Sequence, residues 1–424
     1  MRSFLDKIFF RSNNLDYISQ NIKDLTQKTP AKKIFEAINS YSSESEIRYV
    51  GGCIRKIINK ENVDDIDLAT NLLPGQVCEA LKKNNISYYE TGFDHGTITA
   101  LEDKYKFEIT TLREDVSTDG RHAKVKFSKD WKDDSLRRDF TINSIYSDRD
   151  GNLFDPHNGK KDLENGIVSF IGDADKRIKE DYLRILRYLR FFLNYSKQPH
   201  DLETIKTLKV NIDGISKLSK ERLLDELRKI MKLDTLEKLT KDKLSLDLIS
   251  MIFPELKNFN IFSKLSTSKK NILKDNDFIF LLSLMIIDET DNTDYFLYKF
   301  KISKKNQKRI KYIDNFYKEK INSKTFFKNN MNKFFYYHGK QAILDILNYR
   351  KITSKKEDNS LNELIELYVN KELPKMPISA DLLIKKYEVS EGRQLGEKLK
   401  EIEDEWIKNN FKISDQQVDN IINN

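Results

Sequence analysis

The stretch from Arg48 to Thr70, R-Y-V-G-G-C-I-R-K-I-I-N-K-E-N-V-D-D-I-D-L-A-T, constrains this chain more than any other. A short apolar run meets Gly51-Gly52, a basic amphipathic segment follows, and Asp65-Ile66-Asp67-Leu68 then alternates as a strand does. Glycine lets a backbone approach a ligand closely, and its bare amides suit phosphate oxygens, above all ahead of a helix start. Side chains two apart on a strand share a face. Asp65 and Asp67 are therefore expected to present two carboxylates together, with Ile66 and Leu68 toward the core. Paired hard oxygens suit Mg²⁺ held jointly with substrate phosphates. Taken singly, a Gly-Gly pair is also an ordinary turn, and an alternating acidic strand is also a solvated edge. In this order and spacing they point to metal-dependent nucleotidyl transfer.

With 424 residues the chain exceeds a single core and suits two to four domains. Hydrophobic residues make up 38% and charged residues 33%, which describes a soluble chain with modest cores. A net charge of +8 favours a polyanionic partner, although the abundance of Lys, Asn and Ile also fits drift in nucleotide composition. Cys53 and Cys78 are the only cysteines and form no metal-ligand pattern, so reduced thiols and a cytoplasmic setting are expected. No apolar run is long enough to span a membrane. The first ten residues, MRSFLDKIFF, read as a short packing helix; Asp6, Asp16 and the lack of a cleavage-like site argue against a transit sequence.

Residues 15–40 read as helical, with Pro30 opening the second segment. Residues 47–50 form a first strand, Ile54, Ile57 and Ile58 mark a short helix, and Asp65–Leu68 is a second strand. Pro74 starts a helix through Lys82, at a position proline tolerates. Tyr88–Thr91, Gly96–Leu101 and Tyr105–Thr111 read as strands. In the last of these Phe107 and Ile109 take one face, Glu108 and Thr110 the other. Glu108 either completes a carboxylate trio with Asp65 and Asp67 or stands exposed on an edge strand. Residues 113–136 are polar, lack periodicity and read as a long loop of functional character.

Arg137-Arg138-Asp139-Phe140-Thr141-Ile142-Asn143 follows, where two arginines beside an aspartate either grip a triphosphate and its ribose or form a surface ion pair. D-G-N-L-F-D-P at 150–156 reads as a hinge, after which the chain turns helical. Residues 176–195 carry one apolar stripe of Ile178, Tyr182, Ile185, Leu186, Leu189, Phe192 and Leu193. Asp181 and Arg184 lie off it, three apart and about 60° apart around the axis, as a cooperating pair or a solvated salt bridge. Arg187 extends the same polar side. Ser219 has the place of an N-cap in an imperfect capping box, with Arg222 at the glutamate position. Residues 301–320 hold eight Lys or Arg against two acids, interleaved with Tyr312, Phe316 and Tyr317. This is either an RNA-facing patch or a solvated helix face. Beyond Pro377 a further helix-rich unit ends in Glu403-Asp404-Glu405-Trp406.

These motifs, V-G-G-C-I-R, D-D-I-D-L-A-T, F-E-I-T-T-L-R, R-R-D-F-T-I-N, E-D-Y-L-R-I-L-R and S-K-E-R-L-L-D-E-L, fall in order over residues 49–228. The chain so resembles the class II CCA-adding enzymes, tRNA nucleotidyltransferases of the polymerase-beta-like superfamily. The tail P-I-S-A-D-L-L is similar to that of a bacterial branch. The resemblance implies an α+β fold: a nucleotidyltransferase head of mixed sheet with helices over 1–150, then all-helical neck, body and tail. The neck, 151–232, would read the nucleotide base, and the body and tail, 233–424, would hold tRNA. It implies that Asp65 and Asp67 bind Mg²⁺, with Glu108 as the third catalytic carboxylate, and that the tRNA 3′-hydroxyl is the nucleophile. Gly51, Gly52, Arg55 and Arg113 would bind the nucleotide, as would Arg138, Asp139 and Asn143 through ribose and phosphates. Glu180, Asp181, Arg184 and Arg187 belong to the motif in which Asp and Arg read the base edge of incoming CTP or ATP.

Lys56 departs from the family, which commonly has an acid or amide there, and Ala380 replaces a usual glycine. The stretch after Leu101 lacks the basic, histidine-bearing character of bacterial poly(A) polymerases. His95, His122, His157, His200 and His338 are not paired as a fused phosphohydrolase would need. The implied activity is addition of C, C and A to tRNA 3′ ends, with the 113–136 region implied in the switch from C to A. Rivals are a relative adding only A, only CC, or poly(A), and a catalytically silent RNA-binding protein. The intact set Asp65, Asp67, Arg138, Asp139, Asp181 and Arg184 counts against the last.

Overall fold

The structure is a computed structural model that describes residues 17–118, 123–318, 331–354 and 358–423. The helix expected at the extreme N-terminus, with Asp6 and Asp16, lies outside them. The chain divides into two compact units, Met1–Ile230 with Leu244–Ile252, and Met231–Lys243 with Phe253–Asn424.

Among the described residues the first unit holds nine strands: β1 (Ile47–Val50), β2 (Ile66–Thr70), β3 (Ser87–Gly92), β4 (Thr97–Glu102), β5 (Tyr105–Thr111), β6 (Arg113–Thr118), β7 (Ala123–Phe127), β8 (Tyr146–Ser147) and β9 (Leu153–Phe154). Seven form a mixed sheet in the order β3-β4-β5-β2-β1-β8-β9, and β6 and β7 form a separate hairpin. Among the described strands only β2 and β5 run parallel, in a register that sets Asp67 opposite Glu108. Val50, Ala69, Leu112, Trp131 and Tyr146 pack as one apolar cluster, joined by Phe154. The helices Ala31–Asn39, Gly52–Ile58 and Pro74–Lys83 stand where the apolar spacing and Pro30 and Pro74 put them. This mixed-sheet head followed by helices is the polymerase-beta-type α+β fold.

The structure corrects several expectations and decides which kind of strand carries Glu108. The second strand begins at Ile66, so Asp65 sits just before it and not within it. β5 lies between β4 and β2, so Glu108 stands on an interior strand and not on an edge. The stretch 113–136 is a hairpin followed by the helix Trp131–Leu136, with residues 119–122 outside the described ones. Its strands pair only with each other, so neither face needs the apolar alternation that would have marked them. The hairpin rests on Gly96, at φ 82°, where a methyl group would stand 2.7 Å from the Phe127 ring. The stretch 150–156, expected as a hinge, holds the end of the turn out of β8 and then β9 itself, so the chain stays in the sheet there.

The long helix over 176–195 is two helices, Ala174–Glu180 and Leu183–Tyr195. Asp181 is extended, at φ −152° and ψ 105°, and its Oδ1 accepts the Leu183 N–H at 3.1 Å. An aspartate bonding a backbone amide two residues on competes with the helical ladder, which is why the chain breaks there. The apolar stripe hid the break because Ile178 and Ile185 are both fully buried on either side of it. Helix Lys220–Ile230, with Ser219 Oγ accepting the Arg222 N–H at 3.4 Å, packs against Leu183–Tyr195.

The secondary-structure elements of the second unit are all helices among its described residues. Arg309, on Lys304–Lys318, bonds Asp277 at 2.6 Å and the buried Asp345 at 2.9 Å. Lys311 pairs with Asp294, while Lys304, Lys305 and Lys308 are exposed. The basic stretch therefore both ties helices together and faces solvent; Glu319 and Lys320 lie outside the described residues. Ser379 caps the helix Ala380–Tyr387, and Trp406 is buried in Arg393–Lys408.

The bend at Asp181 and Tyr182 is packed tightly: a methyl group on Gly214 would lie 2.0 Å from Tyr182 Cε1. Gly214→Ala is expected to cost roughly 1–3 kcal/mol, as overpacking does. A thermal or urea midpoint equal to wild type would contradict this packing.

Candidate active site

Five of the sequence motifs meet through contacts around Gly51-Gly52, Asp67 and Asp139. Gly51, at φ 66° and ψ −112°, adopts a backbone closed to side-chain-bearing residues and turns β1 into the helix Gly52–Ile58. A methyl on Gly51 would stand 3.5 Å from Arg138 Nη1 and from the Asn143 carbonyl oxygen. One on Gly52 would stand 3.5 Å from Asp67 Oδ2 and 4.0 Å from Arg55 Nη2. The glycine pair is thus the floor on which two arginines and the β2 carboxylate meet.

Asp65 and Glu108 are exposed and Asp67 is half-buried, with Ile66 and Leu68 in the core as expected. Burial, then Glu108, raise the Asp67 carboxyl above its ordinary pKa; Asp65 adds to this, and Arg138 and Arg55 oppose it. Among the described residues no group of three or more His, Cys, Asp or Glu side chains has the geometry to hold a metal ion. The chain offers instead a carboxylate pair, Asp65 and Asp67, with Glu108 beside Asp67. Two carboxylates completed by substrate oxygens are a donor set Mg²⁺ takes, and crowded negative charge is what a cation relieves. The residues fit the ion.

Asp139 is the hub of the other half. Its Oδ1 accepts Asn143 Nδ2 at 2.8 Å and the Phe140 N–H at 2.9 Å, and its Oδ2 accepts Arg187 Nε at 2.6 Å. Asn143 Oδ1 in turn accepts a bond from Arg55 Nη1. Burial would raise the Asp139 carboxyl, but Arg187 and Asn143 outweigh it and hold it at about 2. The arginines of R-R-D do not pair with that aspartate. Both bond the buried Asp134, Arg137 Nε at 2.8 Å and Arg138 Nη2 at 3.0 Å, and Tyr146 OH donates to the same carboxylate at 2.7 Å. Burial opposes ionisation of Asp134, yet Arg138 and Arg137 bring it down to about 2.

Asp181 and Arg184 are not a pair. Arg184 Nη1 bonds Glu180 Oε2 at 2.6 Å and the Arg177 carbonyl at 2.7 Å, whereas Asp181 Oδ2 accepts Arg222 Nη2 at 2.7 Å. The break between the helices turns the two side chains to different partners. Arg113 donates to the His95 carbonyl at the base of the hairpin. Sequence reading missed Asp134, Tyr146, Arg177, Arg190 and Glu226. Asp134 was visible as an acid four residues before Arg138 on a short helix, and Glu226, buried against Arg190, as an acid within the S-K-E-R-L-L-D-E-L motif.

Asp134 and Asp139 bind protons less readily folded than unfolded, so their contribution to stability is full above the unfolded carboxylate value of about 4 and is lost as pH falls toward 2. Wild type is expected to lose stability steeply over that window. Asp134→Asn should start less stable at neutral pH and show a shallower acid limb in denaturant titrations from pH 5 to 2. An acid limb as steep as that of wild type would remove Asp134 from this account.

Comparison with known proteins agrees with this arrangement. Residues 47–169 match the Poly A polymerase head domain, 201–260 the "Probable RNA and SrmB- binding site of polymerase A", and 271–418 a tRNA nucleotidyltransferase domain 2. The CCA-adding enzyme of Staphylococcus haemolyticus is 31% identical over 345 residues, 80% of this chain and 80% of its own length. The mitochondrial CCA tRNA nucleotidyltransferase 1 of Homo sapiens is 48% identical over 189 residues, so the match spans 44% of each chain, under half the length of that relative. The crystal structure of the Bacillus stearothermophilus CCA-adding enzyme in complex with CTP superposes with a TM-score of 0.68 at 19% identity, over 92% of this chain and 95% of that one, a likeness of fold. A glycine floor, a carboxylate pair and an arginine wall in this fold, with a relative aligned along four-fifths of the chain, place the protein: it belongs to the CCA-adding enzyme family.

Proposed function

We propose that the chain is a cytoplasmic RNA nucleotidyltransferase that adds C, C and A to the 3′ end of tRNA from CTP and ATP. The observation that carries this reading is the meeting of Asp67, Arg138 and Arg55 over the Gly51-Gly52 floor. Carboxylates on one side and arginines on the other suit a reaction that must activate a hydroxyl and neutralise a triphosphate. Asp65 and Asp67 would hold Mg²⁺, which when bound supplies a lowered hydroxyl pKa and charge for the departing pyrophosphate. Arg138, fixed by Asp134 and Tyr146, offers a guanidinium edge to phosphate oxygens. Arg187 and Asn143, aligned by Asp139, suit the ribose and phosphates.

Base choice is assigned to Arg184 and Asp181, each held by its own partner. Arg184 offers N–H donors to an acceptor edge, and Asp181 offers acceptors to the amino groups that C and A share. A polar group built to bond one edge is left unpaired by a wrong one, at roughly 1–3 kcal/mol. The relatives named as CCA-adding enzymes support this over addition of A alone, CC alone or poly(A).

The deciding experiment supplies tRNA transcripts lacking A, CA or CCA with each nucleotide separately. Incorporation of C twice and then A is expected. Failure to extend any transcript, with saturating Mg²⁺, would favour a silent RNA-binding protein, and extension by A alone an A-adding enzyme. Asp67→Asn should abolish addition of both CMP and AMP while the protein still folds and binds tRNA. Arg184→Ala should raise the relative kcat/KM for UTP or GTP about tenfold on a tRNA lacking its terminal A. Unchanged ratios with a uniform fall in rate would make Arg184 purely structural.

A further inference from the structure

Three guanidinium groups surround one buried ring. Arg190, Arg55 and Arg187 lie 4.1, 4.8 and 5.5 Å from the centroid of Phe191, and Arg55 also lies 5.1 Å from that of Tyr195. Two of them are neutralised inside the fold: Arg187 by Asp139 at 2.5 Å, and Arg190 by the buried Glu226. Arg55 differs. It is only 7% exposed, its bond is to the neutral amide oxygen of Asn143, and its Nε has no hydrogen-bond partner among the described residues. A buried guanidinium with no carboxylate hydrogen-bonded to it is costly unless something else receives its charge.

An aromatic face can receive it. The ring quadrupole attracts a cation without cancelling its charge, which a carboxylate would do. Arg55 meets two such faces, and its Nη2 approaches the Gly52 floor beside Asp67. Phe191 is itself pinned edge-on to Phe140, 5.4 Å away, in the motif that carries Asp139. We propose that Phe191 and Tyr195 are positioning residues that hold Arg55, a cation hydrogen-bonded to no acid, for a pyrophosphate-type dianion. This deepens the proposed nucleotidyl transfer, on which it rests for naming the anion as the triphosphate end of CTP or ATP. The rings touch no substrate; they act through Arg55.

The test measures binding of inorganic pyrophosphate by calorimetry, and steady-state KM for CTP, ATP and tRNA. In Phe191→Leu, pyrophosphate Kd and both nucleotide KM values should rise together by about threefold to thirtyfold, with KM for tRNA and the C-to-A preference unchanged. Phe191→Trp, which keeps a quadrupole, should stay closer to wild type than Phe191→Leu does. Tyr195→Leu, at a half-buried position, should raise the same constants in a protein that melts near wild type, and it carries the test if Phe191→Leu does not fold. Unchanged pyrophosphate affinity in the folded leucine variants, or a Trp variant no better than Leu, overturns the proposal. Wild type that fails to bind pyrophosphate overturns it too. Wild type that binds pyrophosphate but extends no tRNA leaves the anion site standing and refutes the functional reading instead.

Discussion

The Asp139 carboxylate is the constraint on which the site depends. It is buried, it stays ionised because Arg187 and Asn143 surround it, and through Asn143 it reaches Arg55 on the far side of the glycine turn. One acid thereby joins the helix after β1, the turn Thr141–Asn143 and the helix Leu183–Tyr195. Removing one partner of a buried pair strands the other charge, at several kcal/mol, so these elements cannot drift apart independently. A family motif that reads as a phosphate grip is, in this fold, first a clamp between the sheet and the neck helices.

A second acid does the same for Arg138. Asp134 and Tyr146 fix the Nε–Nη2 edge of that guanidinium, and burial makes their geometry strict. In the proposed reaction, the arginines assigned to the phosphates are thus oriented by buried acids. The carboxylates Asp65, Asp67 and Glu108 show the opposite treatment, crowded together with Arg138 and Arg55 as partial relief. In the proposed reaction each cluster is incomplete in the sense its ligand would correct: excess negative charge where a cation belongs, excess positive charge where phosphates belong.

Much of this was legible in the sequence because it rests on short periodicities. The Gly51-Gly52 turn, the buried Ile66 and Leu68, the β5 alternation and the Pro74 helix follow from local rules and stand where those rules put them. The hairpin from Arg113 to Phe127 did not show, since strands paired only with each other carry no apolar signature. The break at Asp181 was hidden because the apolar stripe runs straight across it. Partner choice was the least legible property. R-R-D reads as an ion pair, yet the arginines go to Asp134 and the aspartate to Arg187, which lies 48 residues on. Local spacing reports which side chains share a face; it does not report which distant element will press against that face.

The break at Asp181 also bears on how a protein could stand in for a template. Had residues 176–195 formed one helix, Asp181 and Arg184 would bond each other and their edges would be spent. The extended residue sends Asp181 to Arg222 and leaves Arg184 to Glu180 and to the Arg177 carbonyl. Arg184 uses Nη1 for both of those bonds, and Asp181 spends Oδ1 on Leu183 and Oδ2 on Arg222. An oxygen carries two lone pairs and a guanidinium five N–H groups, so each keeps capacity while its orientation is fixed. Rigid donors and acceptors discriminate because they cannot swing to satisfy a wrong base edge. In the proposed reaction the helix break is therefore what converts an ordinary i,i+3 salt bridge into two separately anchored recognition groups.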